Sequence, residues 1–402
     1  MLNSIAQIKA KIRQIDDRQE LISRRMLALA QGQATNLGGY RMLTETRSGL
    51  RMFIDGRDTG SGLEIIHSGY IEPDVMKVLQ RCFKPGATFL DVGTNFGFYT
   101  LFAAQQMGGS GRVYSFEANP FLIPFIEGSA YINGLSNNIT LINKAVADRE
   151  GTAQFGFSFA HIGGGSLLAG SNDVAGCEHV EVPLVTIDSV IPADVQVDVI
   201  KLDVEGHEAA ALRGLKQVIA RSPDVQIVLE FFPGMQGAGG AEVLDALTDC
   251  GLQFWKIGNR GRLHEVSRDE LTYGPDCYLL AARTKPDDRT LEIGPAAIRY
   301  AAQPGSDDSM MRAGRGEVLV HGPYWYLPQG SYEITVHGKI KGTVRAAVTH
   351  EFGFEIASDQ LTAKRMSFVA NTNVDLRYFE VVLRDDDNSE IRVDRITVRD
   401  IS

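Results

Sequence analysis

Thr88-Phe-Leu-Asp-Val-Gly-Thr-Asn-Phe-Gly-Phe-Tyr-Thr-Leu-Phe-Ala-Ala104 is the stretch whose reading decides the fold. Phe89 and Leu90 belong to a short apolar run of the kind that fills a parallel strand buried on both faces. Asp91 follows, then Gly93, Asn95 and Gly97 at two-residue spacing, then a helical pattern from Tyr99. Strand, glycine-bearing turn and helix predict the first unit of an open α/β sheet, with backbone brought close to a ligand at the strand's carboxyl end. Glycines also serve tight turns for steric reasons alone, so a second feature is needed.

Val113-Tyr-Ser-Phe-Glu-Ala-Asn-Pro120 supplies it. This second apolar strand ends on Glu117, twenty residues after Gly97. A carboxylate there is placed to accept hydrogen bonds from the ribose hydroxyls of a nucleoside cofactor. A dinucleotide and S-adenosyl-L-methionine both fit that far. A dinucleotide needs glycine where Asn95 stands, because backbone must approach its pyrophosphate, and Asp91 is unfavourable beside phosphates. A cationic sulfonium and amino group suit Asp91 better, so S-adenosyl-L-methionine is the expected cofactor.

At 402 residues and 44% apolar content, the chain has material for more than one domain. A net charge of −10 with no Lys/Arg-rich run argues against nucleic acid as a partner. Cys82, Cys177, Cys250 and Cys277 lie far apart without metal-type spacing and read as reduced thiols of a cytoplasmic protein. No apolar run reaches the ~20 residues of a membrane span, and the amino terminus has no signal-like apolar core.

From Ser4 to Leu29 the chain repeats in heptads. Ile5, Ile12, Gln19 and Met26 alternate with Ile8, Ile15, Ile22 and Leu29, an apolar seam broken only at Gln19. The 3.5-residue period predicts a coiled coil, and therefore a homo-oligomer, dimer or trimer; the alternative is a helix lying on its own catalytic domain. Gly32–Gly39 reads as a linker, Arg41–Asp55 as a hairpin and Asp74–Cys82 as a helix. Gly69-Tyr-Ile-Glu72 either faces the cofactor or packs on the sheet edge. Beyond the helix through Phe121–Asn133, a strand from Ile139 delivers Ala145 and Val146 to the adenine position, with Asp148 near the adenine amino group. Ala160-His-Ile-Gly-Gly-Gly-Ser166 reads as a flexible loop, a mobile lid or a close backbone approach to substrate. His161 at its rim is either an acceptor contact or an exposed loop histidine.

Val197-Asp-Val-Ile-Lys-Leu-Asp-Val-Glu-Gly-His-Glu208 is the fourth strand. Alternation sets Lys201, Asp203 and Glu205 on one side. Three charges in such a row are costly inside a covered sheet and fit where a strand runs out into a cleft. Together with Lys144-Ala-Val-Ala-Asp148 and the two glycine and glutamate segments, this stretch resembles the FkbM-type methyltransferases over roughly residues 60–285. The resemblance implies a Rossmann-like S-adenosyl-L-methionine-dependent methyltransferase fold and methyl transfer to a hydroxyl, often of a sugar or polyketide. Ala118 stands where the family often has Pro, and His207 where Ala is usual. Asp203 or Glu205 is the expected proton acceptor, with Lys201 orienting the pair and His207 a third choice. Asp203 also belongs to the expected cofactor contacts, with Asp91, Gly93, Asn95, Gly97, Glu117, Ala118, Ala145 and Val146. Glu205, His161 and Glu230, the last at the end of the strand Val225–Pro233, are expected to hold the acceptor. No metal is expected.

After Lys285-Pro286 helical periodicity gives way to short alternating runs, so three regions follow: a coiled-coil helix and linker over 1–34, a methyltransferase domain over 35–285 and an all-β sandwich over 286–402. Gly322-Pro-Tyr-Trp-Tyr-Leu-Pro-Gln-Gly-Ser-Tyr332 resembles accessory sandwich modules of bacterial polysaccharide glycosyltransferases; Trp325 or a neighbouring Tyr either stacks on a sugar or, as alternating aromatics more often do, belongs half to the core. The expected acceptor is therefore a glycan or a glycosylated small molecule. The rivals are a glycan-binding scaffold without turnover and an NAD-dependent oxidoreductase or epimerase. The second lacks a Tyr-x-x-x-Lys pair after the fourth strand.

Overall fold

The computed structural model describes residues 34–402 apart from 109, 168–175, 237–238, 295–297, 305–309, 328, 351–352, 375 and 387. The heptad segment, and with it the expectation of a coiled coil and a homo-oligomer, lies outside the described residues. Among them no helix is long and apolar enough to cross a membrane.

The organising sheet contains strands β1 (Thr88–Val92), β2 (Arg112–Phe116), β3 (Ile139–Ile142), β4 (Val199–Leu202), β5 (Gln226–Phe231), β6 (Gln253–Ile257), β7 (Leu263–His264) and β8 (Cys277–Ala282). Their order is β7-β6-β8-β5-β4-β1-β2-β3. The run from β5 to β3 is parallel, and β8 enters antiparallel beside β5 and carries β6 on its other edge. This is the Rossmann-like sheet expected from the glycine and glutamate segments. Alternation explains how it is covered. Phe89 and Val199 enter the core under the helices Pro73–Cys82 and Phe98–Gln106, while Leu90 and Ile200 enter the core under Glu208–Arg213, Lys216–Arg221 and Gly239–Asp249. Each large apolar side chain buried this way contributes on the order of 1.5–3 kcal/mol.

Strand register positions the site. Val92 pairs with Leu202 and with Phe116, and Leu202 pairs with Leu229, so these strands are level at their carboxyl ends. One residue further along each chain stand Gly93, Asp203, Glu117 and Glu230. The order reverses between β1 and β4, the switch point where open α/β sheets bind ligands. A second sheet, Ala145–Val146, Cys177–Val185, Gly151–Ser158 and His161–Ser166 in that spatial order, presents its last strand as an edge.

Beyond residue 285 two antiparallel sheets, each six-stranded among the described residues, face one another across one core. Ile334 and Val398 come from one sheet, Phe379 and Val348 from the other. Trp325 sits in this core at 4% exposure, so of its two readings the core one holds and the indole is packed away from any sugar. Between Asp385 and Glu390 the chain passes from one sheet to the other, and Asp385 accepts a hydrogen bond from the Ser389 amide at 2.7 Å. The second unit is pinned to the first by charge. Asp400 lies 3.0 Å from Arg260 and 3.2 Å from Arg262, and Asp288 accepts from the Leu263 amide at 2.8 Å.

Candidate active site

The carboxyl ends of β1, β2, β4 and β5 open into a cleft of about 910 Å3. Gly93 lines it where β1 and β4 pass each other. It has a left-handed φ of 85°, and a Cβ there would stand 1.7 Å from the Asp203 carbonyl oxygen, so only glycine lets the two strand ends pass. Asn95 is also left-handed, at φ 55°. That conformation turns its amide toward Glu117 Oε2 at 2.7 Å, and the Asn119 amide donates to Oε1 at 2.8 Å. Burial raises the Glu117 carboxyl to about 7 against the pull of these two amides. Each Glu117 oxygen keeps acceptor capacity for a hydroxyl from the cleft. Ala118, Ala145 and Val146 give that end apolar walls, with Lys144 and Phe116 beside them.

The opposite end is acidic. Lys201, 4% exposed and beneath the floor, donates to Asp203 Oδ2 at 2.7 Å and lies 4.0 Å from Glu72. Burial lowers the Lys201 ammonium, yet Asp203, Glu72 and Asp91 more than restore it and hold it above its usual range. Burial pushes Asp203 up, but Lys201 outweighs it and keeps the carboxyl below its ordinary value. Glu205 has no such partner: burial first, then the Asp203 charge, push it up to about 8. Its left-handed φ of 50° is held by the surrounding turn. Glu208, 1% exposed, accepts from the Val204 and Gly206 amides at 3.2 Å each, and Ser166 Oγ donates to the Glu205 carbonyl at 2.9 Å. Glu230 completes the group: oxygens of Asp203, Glu205 and Glu230 all lie within 4.8 Å of one another.

The structure brings Gly93, Asn95, Glu117, Ala118, Ala145, Val146, His161, Asp203, Glu205, His207 and Glu230 to this one cleft. Three expected residues do not line it. Asp91, 1% exposed, accepts from Thr100 at 2.6 Å and lies below the floor beside Lys201, out of direct reach of the cleft. Gly97 opens the helix Phe98–Gln106 and meets Ile126. Lys201 acts from beneath. Asp148 does not line the cleft and pairs instead with Arg213 at 3.3 Å and Arg149 at 3.1 Å.

The expected flexible loop at Ala160–Ser166 is instead largely the strand His161–Ser166, antiparallel to Gly151–Ser158 with an irregular register. Its glycines serve close approach. A Cβ on Gly163 would stand 2.2 Å from the Asn95 amide, one on Gly164 2.5 Å from the His161 ring and one on Gly165 2.3 Å from Phe155. His161 lies on that strand, exposed, at the cleft rim. His207 lines the cleft ahead of the helix Glu208–Arg213, and burial lowers its imidazole below the usual range.

Ser61 and Glu72 also line the cleft, and Tyr99 holds Glu72 through a 3.0 Å hydrogen bond. Ser61 escaped the sequence reading because its helix, Ser61–Ser68, is only eight residues long and flanked by Gly60 and Gly69.

Residues 91–254 match the family model described as the methyltransferase FkbM domain. Over 70 residues the chain is 37% identical to an arginine N(omega)-methyltransferase of Streptomyces achromogenes subsp. streptozoticus, covering 17% of this chain and 19% of that one. The chain thus spans about a fifth of the length of that curated relative. Among solved structures it is similar to a methyltransferase FkbM from Methylobacillus flagellatus KT, at 15% identity and TM-score 0.33 over 49% of this chain and 44% of that one. It is also similar to an S-adenosyl-L-methionine-dependent O-methyltransferase from Thermotoga maritima, at 13% identity and TM-score 0.33 over 63% and 96%. The family match makes S-adenosyl-L-methionine the cofactor of this domain, and the Glu117 cradle, the glycine turn and the acidic far end suit its ribose and its positive charge.

Proposed function

We propose that the chain transfers a methyl group from S-adenosyl-L-methionine to a hydroxyl of a sugar-bearing acceptor, with Glu205 taking the hydroxyl proton. The observation that carries this reading is Glu205 itself. It is a carboxyl aimed into the cleft by a fixed turn, level with the switch point and raised to about 8. A proton acceptor works best with a pKa near the working pH. Asp203 answers that need less well, because the Lys201 ammonium occupies it at 2.7 Å.

Glu117 would hold the ribose hydroxyls, and Ala145 and Val146 the adenine. Gly93 and Asn95 would flank the methionine portion, with Asp203 and buried Asp91 contributing negative charge. Bound there, S-adenosyl-L-methionine supplies a methyl group activated on a sulfonium. The glycine strand and His161 close the rim over the acceptor, and Glu205 receives its proton as the oxygen attacks. The four free cysteines support a cytoplasmic setting, and the heptad segment supports a homo-oligomer.

One observation favours a second acceptor. Glu72 and Asp203 pair with the buried Lys201 ammonium and Glu205 and Glu230 cluster beside Asp203, an acidic setting that also suits a guanidinium, the group that the Streptomyces relative's name implies. Incubating the protein with methyl-labelled cofactor and either an oligosaccharide mixture or arginine separates the readings. Label is expected in the sugar fraction. Label in arginine alone would replace the hydroxyl reading, and label in neither, with cofactor bound, would favour a glycan-binding scaffold.

A further inference from the structure

The two sides of the Glu230 carboxyl have different surroundings. On one side the Tyr278 hydroxyl donates to Oε1 at 3.0 Å. The antiparallel entry of β8 makes this possible, because it sets Tyr278 directly opposite Glu230 in register. On the other side its carboxyl oxygens lie within 4.8 Å of those of Asp203 and Glu205. Carboxyl groups crowded this closely cannot all ionise, so one of them keeps its proton. Asp203 already accepts from the Lys201 ammonium, which favours its anion and leaves the proton to a neighbouring carboxyl.

We propose that Glu230, anchored by Tyr278, is a neutral, proton-carrying positioning residue that donates to Asp203 and leaves Glu205 as the carboxyl that takes up the acceptor's proton. Asp203, Lys201 and Glu205 face Glu230 from the end of β4 and Tyr278 faces it from β8, with Glu72 and Tyr99 beyond Lys201. Burial and then the Asp203 charge raise the Glu230 carboxyl to about 10, in keeping with a group that stays protonated through neutral pH. The Tyr278 hydroxyl is raised as well, by burial and then by Glu72, Glu230 and Asp203, so it remains a donor. The arrangement removes one negative charge from beside Glu205 and fixes Asp203 between two donors.

The purpose of this arrangement rests on the methyl-transfer reading, but its test does not. Carbon-13 NMR of protein labelled at glutamate carboxyl carbons follows the Glu205 titration, assigned by its loss in Glu205→Gln, with no acceptor present. In Glu230→Gln the Glu205 midpoint should stay within about half a unit of the wild type, because a neutral group replaces a neutral group. If Glu230 were an anion, its removal would lower that midpoint by about one unit or more, and the proposal would fall. A measurement on the unaltered chain guards against a variant that does not fold. At pH 9 the wild type should still show the infrared carbonyl band of a protonated carboxyl. Absence of that band overturns the proposal, whatever the cofactor titration described below shows for methyl transfer.

Discussion

Glu205→Gln should lower kcat by about 100-fold or more, the range that loss of a positioned proton acceptor produces, while binding of S-adenosyl-L-methionine stays within about threefold. The amide keeps the size of the side chain and the turn set by Glu208, so the loss would report proton transfer rather than collapse of the cleft. The wild type carries a matching pH signature. Its Glu205 carboxyl is raised to about 8, and only the ionised form accepts a proton. kcat/KM should therefore rise with pH, pass its midpoint near 8 and level off above it, and the residual rate of Glu205→Gln should lack that limb. Asp203→Asn is a poorer test, since it leaves the buried Lys201 ammonium without its nearest partner, a loss that costs several kcal/mol. A Glu205→Gln variant within threefold of the wild-type kcat would move the base elsewhere.

Gly93→Ala should be the most damaging one-carbon change at the cofactor end. The backbone there has φ 85°, and the added methyl would meet the Asp203 carbonyl at 1.7 Å. A left-handed non-glycine residue costs about 1–3 kcal/mol, and forcing packed elements apart typically adds about 1–3 kcal/mol. For a unit of this size the sum corresponds to a fall in Tm on the order of 10 °C. The neighbour that must yield is the backbone just ahead of Glu205, so cofactor binding and turnover should fall together. A variant with wild-type Tm and cofactor affinity would show that β1 and β4 are not in the close contact described.

The parallel sheet was legible because its strands are covered on both faces. Phe89-Leu90 and Val199-Ile200 can serve two cores only as central strands. The convergence of Gly93, Glu117, Asp203 and Glu230 was legible too, because each follows the last apolar residues of a strand, and register does the rest. What the sequence hid was longer-ranged. Tyr278 reaches Glu230 only because β8 enters antiparallel, a pairing that local pattern does not address to a particular partner. Asp91 looked like a cofactor contact, but alternation along β1 turns it toward Thr100 under the floor. Three glycines in a row left a mobile lid and a close backbone approach both open, since the side chains they make room for, Asn95, His161 and Phe155, declare themselves only in three dimensions. Trp325 shows the same limit from the other side, because an aromatic in an alternating run serves core and ligand patterns equally well.

Titration calorimetry of the protein with S-adenosyl-L-methionine and, separately, with NAD tests the central claim most directly. Saturable binding of S-adenosyl-L-methionine is expected, tightening as pH rises through about 7, where the Glu117 carboxyl ionises and becomes the better acceptor for two hydroxyls. Glu117→Ala should weaken it tenfold or more, since each hydrogen bond to a charged group contributes about 1.5–3 kcal/mol. Saturable binding of NAD with no heat from S-adenosyl-L-methionine would contradict the account.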